Sequence, residues 1–238
     1  MTKRAQVIDL PPNSVPRLDP ARPAAEQISS SLKTAILHMK LEPGQIISEA
    51  EVGHLFGASR TPVREAFTWL RDQGLIVTYP SRGNFVSKLS ISQIKGAQFV
   101  RSSLEVSIAD ALCERGLLPD TKEALEQNLA NQQAVLVAGN GRSFHELDDD
   151  FHIALADAVG HPRISDIIQR EKTFLDRLRV LSLNRPSHLA KLHEDHRQIF
   201  AAIRAQDQKK ARKSVRKHLH RVLDTLADLF LEHRDYFE

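Results

Sequence analysis

The sequence predicts a mainly α protein, with three short helices and a β-hairpin in its N-terminal part followed by an all-α antiparallel helical bundle. Three observations carry that expectation. Apolar residues recur at helical spacing through most of the chain. One β-branched and aromatic run, between Leu75 and Val86, is interrupted by turn residues. Glycine and proline collect at a few breaks instead of spreading evenly.

Residues 1–22 contain Pro11, Pro12, Pro16 and Pro20 and few large apolar side chains, and are expected to form a mobile arm. From Ala24 onward, Ile28, Leu32, Ala35, Ile36 and Met39 fall on one helical face, and Pro43-Gly44 ends the segment with a turn. Ser48-Glu-Ala-Glu51 has the form of a capping box, Val52, Leu55 and Phe56 supply a buried face, and Gly57 stops the helix. Thr61-Pro62 reads as an N-cap followed by proline at the first helical position. Val63, Ala66, Phe67 and Leu70 form the inward stripe of this third helix, and Gly74 closes it. Two short helices joined by a tight glycine-containing turn make a helix-turn-helix. Leu75-Ile-Val-Thr-Tyr79, the turn chemistry of Pro80 to Asn84 and the resumed strand at Phe85-Val86 add a hairpin. Residues 23–88 are therefore expected to be a winged helix-turn-helix. Residues 89–238 show helical periodicity and no strand. Breaks near Gly116–Pro119, Gly139–Gly141, Gly160–Pro162 and Asn184–Pro186 divide them into at least five helices, with six or seven expected.

Composition narrows the class. With 238 residues the chain has room for two domains. The single cysteine, Cys113, excludes an intramolecular disulfide framework and a cysteine zinc cluster, and fits a reducing compartment. No run of about 18 apolar residues occurs, and prolines stand where a signal peptide needs its apolar core, so a cytoplasmic protein without a membrane partner is expected. Residues 1–90 carry 11 Lys and Arg against 8 Asp and Glu, while the remainder carries 22 against 22. The whole excess of positive charge therefore lies with the predicted hairpin domain, as it would in a nucleic-acid module joined to a neutral one.

On the third helix, Arg60, Arg64, Thr68 and Arg71 share the face opposite Val63, Ala66 and Phe67. An arginine at a helix N-terminus can fork onto guanine O6 and N7 in the major groove, while the helix's own N–H groups donate to a phosphate. At the wing tip, Arg82 brings charge and Gly83 lets the backbone approach a groove. An arginine-bearing helix face is commonly no more than a solvated face. The ordered set of capped helix, glycine, arginine-led helix and hairpin is far more specific. Residues 25–87, and above all Pro43-Gly44, Leu55-Phe-Gly-Ala-Ser-Arg-Thr-Pro-Val-Arg-Glu-Ala66, Gly74-Leu75-Ile76 and Arg82-Gly-Asn-Phe-Val86, resemble the winged-helix domain of the GntR family of bacterial regulators. The resemblance implies that Arg60 and Arg64 contact bases, that Ser59 and Thr61 contact phosphates or bases, and that Gly83 lies in the minor groove. The sequence departs from many relatives at Ala50, where they carry arginine.

In the helical part, polar residues inside apolar stripes are informative, because burying one unpaired costs about 1–3 kcal/mol. Arg101 lies on the face of Leu104, Ile108 and Leu112. Asp148 and His152 share the stripe of Phe144, Phe151, Leu155 and Val159. His196 falls among Leu189, Leu192, Phe200 and Ile203, and His218 aligns with Ala211, Val215, Val222 and Leu229. A single inward histidine is most often a satisfied core residue. Three histidines and an aspartate from three helices would, if they converge, offer three nitrogens and one oxygen to a divalent metal, zinc foremost, nickel or manganese as alternatives. Arg101 would then be the fork for a carboxylate, or else a structural bridge to Glu105 or Asp148. Residues 94–233 resemble the FCD domain, the helical effector domain of the FadR subgroup of GntR regulators. Arg101-Ser-Ser-Leu-Glu105, Asp148-Asp-Asp-Phe-His152, Asp195-His196-Arg-Gln-Ile199 and Lys217-His218-Leu219 carry the likeness. It implies Asp148, His152, His196 and His218 as metal ligands with a small organic acid docked beside the ion. Asp149, His193 and His220 are nearby alternatives.

The expected function is a homodimeric repressor that binds double-stranded operator DNA and responds to a small organic acid. A metal-dependent hydrolase is the rival from another class, since such a ligand set can activate water; no separate nucleophile or general base supports it, and no enzymatic activity is expected. A regulator whose signal is the metal itself is the nearer alternative.

Overall fold

The computed structural model describes residues 17–182 and 186–238. Most of the expected N-terminal arm, residues 1–16, lies outside the described residues, as does most of the expected break at Asn184–Pro186. The chain divides into two compact units: the residues up to Ile91 together with Glu232–Glu238, and Ser92–Leu231.

The first unit contains α1 (Ala24–Leu37), β1 (Ile46–Ile47), α2 (Glu49–Phe56), α3 (Arg60–Asp72), β2 (Ile76–Tyr79) and β3 (Gly83–Val86). Ile28, Leu32 and Ile36 of α1 pack with Val52 of α2 and Phe67 and Leu70 of α3 into one apolar core, each such side chain contributing about 1.5–3 kcal/mol on burial. Ser48 caps α2 by accepting from the Glu51 N–H, as the capping box predicts, and Gly57 ends the helix at a left-handed φ of 61°. Helix α1 ends sooner than its periodicity suggests, because Met39 adopts φ 56° and leaves the helical path. The strands pair antiparallel in the order β1-β3-β2, with Ile46 opposite Phe85 and Val77 opposite Phe85 on its other side. Sequence periodicity passed over β1, since two residues are too few to alternate visibly. The main chain fixes it instead, through Gly44 N–H to Val86 O (2.9 Å) and Val86 N–H to Gln45 O (2.8 Å).

The last residues of the chain also belong to this unit. A 3-10 turn at Arg234–Tyr236 precedes Phe237, which is buried and forms a parallel bridge with Leu89. The Leu89 N–H donates to Tyr236 O at 2.8 Å and the Glu238 N–H to Leu89 O at 3.2 Å.

Six helices supply the second unit: α4 (Ile91–Arg115), α5 (Pro119–Val137), α6 (Gly141–Ala158), α7 (Pro162–Leu181), α8 (Pro186–Arg204) and α9 (Gln208–Glu232). Pro119 and Pro162 open α5 and α7, where a missing N–H costs nothing. The break before α9 carries neither glycine nor proline. Gln206 takes φ 55°, and Asp207 accepts from the Lys210 N–H at 2.9 Å. Helix α5 packs on α6 and α8, and α6 on α7. The core runs through Leu112, Leu125, Phe151, Ile168, Ile203 and Leu219. Among the described residues no helix is long and apolar enough to cross a membrane.

Candidate metal centre and nucleic-acid interface

In the first unit, α3 begins at Arg60 with Ser59 as its N-cap, two residues before the cap expected at Thr61. Pro62 is thereby in the first turn, where its lack of an N–H is tolerated. The Ser59 side chain makes no capping hydrogen bond, which leaves the first-turn N–H groups to an outside acceptor such as a phosphate. Ser59, Arg60, Thr61 and Arg64 are all exposed. Arg64 makes one loose contact, 3.5 Å from its Nε to Glu49 Oε2, with its side chain 72% exposed. Arg71, on the same face by spacing, is engaged otherwise: it donates to Thr68 Oγ1 (2.8 Å) and Thr78 Oγ1 (3.4 Å) and so ties α3 to the wing. At the wing tip the Arg82 guanidinium lies over the rings of Tyr79 (5.7 Å) and Phe85 (5.8 Å), which meet edge to face. Gly83 has φ 100°, a conformation that side chains other than hydrogen resist.

In the second unit, Asp148, His152, His196 and His218 come together from α6, α8 and α9, all buried, each offering a ligand atom within 4.8 Å of the others. The three histidines present Nε2 to a common point. His152 Nε2 is 2.9 Å and His196 Nε2 3.3 Å from His218 Nε2, and Asp148 Oδ1 is 3.3 Å from His196 Nε2. Their far sides explain why. Glu105 Oε2 lies 2.5 Å from His152 Nδ1, an ion-pair contact off the line of a good hydrogen bond that favours the tautomer with its hydrogen on Nδ1. His196 Nδ1 is 2.8 Å from Gln132 Oε1, and Gln132 is held in that orientation by donating its amide to Asn128 Oδ1 at 2.7 Å. His196 Nε2 is therefore a bare lone pair, and so is His152 Nε2 in the neutral ring that carries its hydrogen on the Glu105 side. His218 can donate one proton to one of them, which leaves at least one buried lone pair facing its neighbours without a hydrogen. Such a donor set, with its tautomers fixed from behind, fits a divalent cation.

The electrostatics agree. Burial presses the pKa of His196 down and that of His218 well down, keeping both imidazoles neutral. Burial would raise the Glu105 carboxyl, but the Arg101 guanidinium and His152 outweigh it and bring the value to about 2. Asp148 is likewise held well below the usual carboxylate range, because the Arg179 guanidinium overcomes its desolvation.

Beside the four residues lies a cavity of about 40 Å³ whose lining includes Gln98, Arg101, His145, Arg179, Ser182 and Thr225. Arg101 is buried and spends Nε and Nη2 on one oxygen of Glu105, at 2.8 and 2.7 Å. Arg179, on α7, bonds Asp148, Asp149 Oδ1 (2.7 Å) and Asp176 Oδ1 (3.5 Å). Among the described residues, the Gln98 Oε1 and both ring nitrogens of His145 find no hydrogen-bond partner. Burial lowers the His145 pKa to about 4. The neighbouring alternatives point elsewhere: Asp149 pairs with Lys172 at 2.6 Å, His193 Nε2 with Leu129 O at 3.2 Å, and exposed His220 with Asp224 at 3.8 Å.

Comparison with known proteins matches residues 24–86 to bacterial regulatory proteins of the gntR family, and residues 98–221 to the FCD domain. The chain belongs to the GntR family. It is 32% identical over 221 residues to the HTH-type transcriptional repressor RspR of Escherichia coli K12, covering 93% of this chain and 96% of that protein. It is 34% identical over 195 residues to an HTH-type transcriptional regulator in an unstable DNA locus of Streptomyces ambofaciens, covering 82% and 81%. Among solved structures, E. coli McbR/YncC superposes with a TM-score of 0.73 at 20% identity, covering 87% of this chain and 98% of that one, a likeness of fold. The chain is thus a transcriptional regulator and not an enzyme, and GntR regulators bind DNA.

Four residues of this GntR regulator's centre were missed from the sequence. Glu105 stood in the quoted Arg101 to Glu105 motif and was considered only as a partner for Arg101. Gln132, fully buried, sits seven residues after Leu125 on α5, and Arg179 four after Leu175 on α7. Both obey the rule of a polar residue inside an apolar stripe that picked out His196. His145 is one turn ahead of Asp148 and Asp149, and its neutral state depends on burial that no spacing reveals.

Proposed function

We propose that the chain is a homodimeric repressor. Arg60 and Arg64 of two recognition helices read a palindromic operator, Ser59, Thr61, Arg82 and Gly83 hold the DNA backbone and groove, and a small organic acid beside a divalent metal controls affinity. Residues 23–88 are its DNA-binding domain, joined in the fold by residues 232–238 at the end of the chain, and the helices of residues 92–231 are its effector domain. Asp148, His152, His196 and His218 hold the ion, zinc in the first instance and nickel or manganese as alternatives with the same donors. The ion, when bound, supplies open coordination positions for a carboxylate. The observation that carries this reading is the His196 Nε2 lone pair, fixed from behind by Gln132 and turned on the same buried point as His152 Nε2, His218 Nε2 and Asp148. The repressor sign draws support from the printed name of the E. coli relative. The acid lowers operator affinity only by binding the DNA-free form more tightly.

Elemental analysis of purified wild type and of His152→Ala/His196→Ala tests the centre. About one ion per chain in the wild type, lost in the double variant, is expected; no ion in either after incubation with excess zinc, nickel and manganese overturns it. A second reading has a specific observation in its favour. Arg101 is committed to Glu105, and a regulator that senses the metal alone needs no arginine for an acid. Chelator alone would then change operator affinity with no acid present.

A further inference from the structure

Asp148 faces two claims. Its Oδ1 lies 3.3 Å from His196 Nε2, toward the three histidines, while its Oδ2 is hydrogen-bonded by the Arg179 guanidinium from α7. Arg179 is itself largely shielded, its side chain 12% exposed, and is held by a second carboxylate, Asp149. A shielded guanidinium bonded to a would-be metal ligand adds a positive charge within a few ångströms of where a second one would sit. Cations so close in a desolvated site oppose each other strongly. Without a metal, that same guanidinium neutralises an aspartate that burial alone would drive to its protonated form.

We propose that Arg179 holds the metal's place on Asp148 when the centre is unloaded, and on metal binding turns to the cavity, where it becomes the arginine that receives the effector's carboxylate. This rests on the metal reading of the centre. Four further observations bear on it. Arg179 keeps the Asp149 anchor when it leaves Asp148, and Asp149 is already steadied by Lys172 at 2.6 Å, so the turn gives up one contact and not the whole clamp. Arg101, Asp148 and Arg179 of the lining belong to ion-pair networks that also contain Glu105, Asp149, Asp176 and Lys172, three cations against four carboxylates, one net negative charge in all. That set repels an anion, and a divalent ion changes its sign to one net positive, the complement of a single carboxylate. The cavity of about 40 Å³ has room for only a few waters. An acid requires a wall residue to move, and Arg179 is the wall residue with a reason to do so. Gln98 Oε1 and His145, which lack partners in the same lining, are positioned to accept and donate hydrogen bonds to hydroxyls on such an acid. Metal and acid then favour each other by the same factor.

The test measures zinc affinity, by competition with a chelating dye, for metal-depleted wild type, Arg179→Gln and Arg179→Lys. Removal of the competing cation is expected to tighten zinc binding by on the order of tenfold or more in Arg179→Gln, with Arg179→Lys between it and wild type. Thermal unfolding supplies the second readout: Arg179→Gln lowers the Tm of metal-free protein, and that loss shrinks when zinc is added. Equal or weaker zinc affinity in Arg179→Gln, with a Tm loss that zinc leaves unchanged, overturns the proposal and makes Arg179 a structural ion pair while the metal centre stands. No zinc uptake by any of the three overturns both. If Arg179→Gln does not fold without metal, wild-type affinity in Arg179→Lys overturns the exchange by itself.

Discussion

The two units place their functional polar groups on opposite sides of their cores. In the first, Ser59, Arg60, Thr61 and Arg64 stand in solvent over an apolar core of Ile28, Leu32, Val52 and Phe67. In the second, Asp148, His152, His196 and His218 are inside, Glu105, Gln132 and Arg101 are buried around them, and Arg179 is largely shielded beside them. Surface charges can be changed with little effect on folding. Buried ones cannot, because each is another's compensation. Function and stability are therefore separable in the head and entangled in the bundle.

The largest effect that tests this contrast is expected from Asp148→Ala. It leaves the largely shielded Arg179 guanidinium without one of its main partners, and breaking a buried pair from one side costs about 3–5 kcal/mol. Denaturant unfolding of metal-free protein measures it. Arg60→Ala is the counterpart: unfolding free energy within about 0.5 kcal/mol of wild type, with operator binding weaker by about 1–3 kcal/mol and selectivity relaxed at one base. Asp148→Ala as stable as wild type, or Arg60→Ala markedly less stable, would break the comparison.

A smaller effect follows from acid. His145 is kept neutral by burial, with a pKa of about 4 against an ordinary value near 6.5. As pH falls the unfolded chain takes up this proton first, so the stabilisation is complete above about pH 6.5 and is lost progressively toward pH 4. The difference amounts to at most about 3 kcal/mol, trimmed by the partial exposure of the ring. Metal-free His145→Gln should lose less stability than wild type between pH 6.5 and 4.5. Parallel curves for the two proteins would mean that the bundle's acid sensitivity lies elsewhere.

The same contrast explains what could be read from the chain. The apolar stripes announced the helices, and Gly57 and Gly74 their ends, because these are local. Inward His152, His196 and His218 stood out because an imidazole in an apolar stripe demands a partner. The short β1, the break at Gln206 and the start of α3 at Arg60 were not legible, since each is decided by main-chain hydrogen bonds or by a single dihedral angle. Arg179 was equally lost. Its meaning comes from two aspartates about thirty residues earlier in the chain, on another helix. In the head the position is reversed: nothing physical distinguishes Arg60 from any solvated arginine, and only the motif around it did so.

The finest test compares two serines that begin consecutive helices of the head. Ser48 caps α2 by accepting from Glu51 N–H at 3.4 Å, a long bond, whereas Ser59 stands at the start of α3 and caps nothing with its side chain. Ser48→Ala is expected to cost about 0.5–1 kcal/mol of stability, at the low end for a cap, and to leave operator affinity as it was. Ser59→Ala removes a hydroxyl that the folded chain does not use, so it should leave unfolding unchanged and weaken operator binding, with the loss similar on cognate and unrelated DNA if the contact is to phosphate. Equal stability losses in the two variants would mean that Ser59 does cap α3 in solution. In that case the head too would be spending a functional side chain on its own fold.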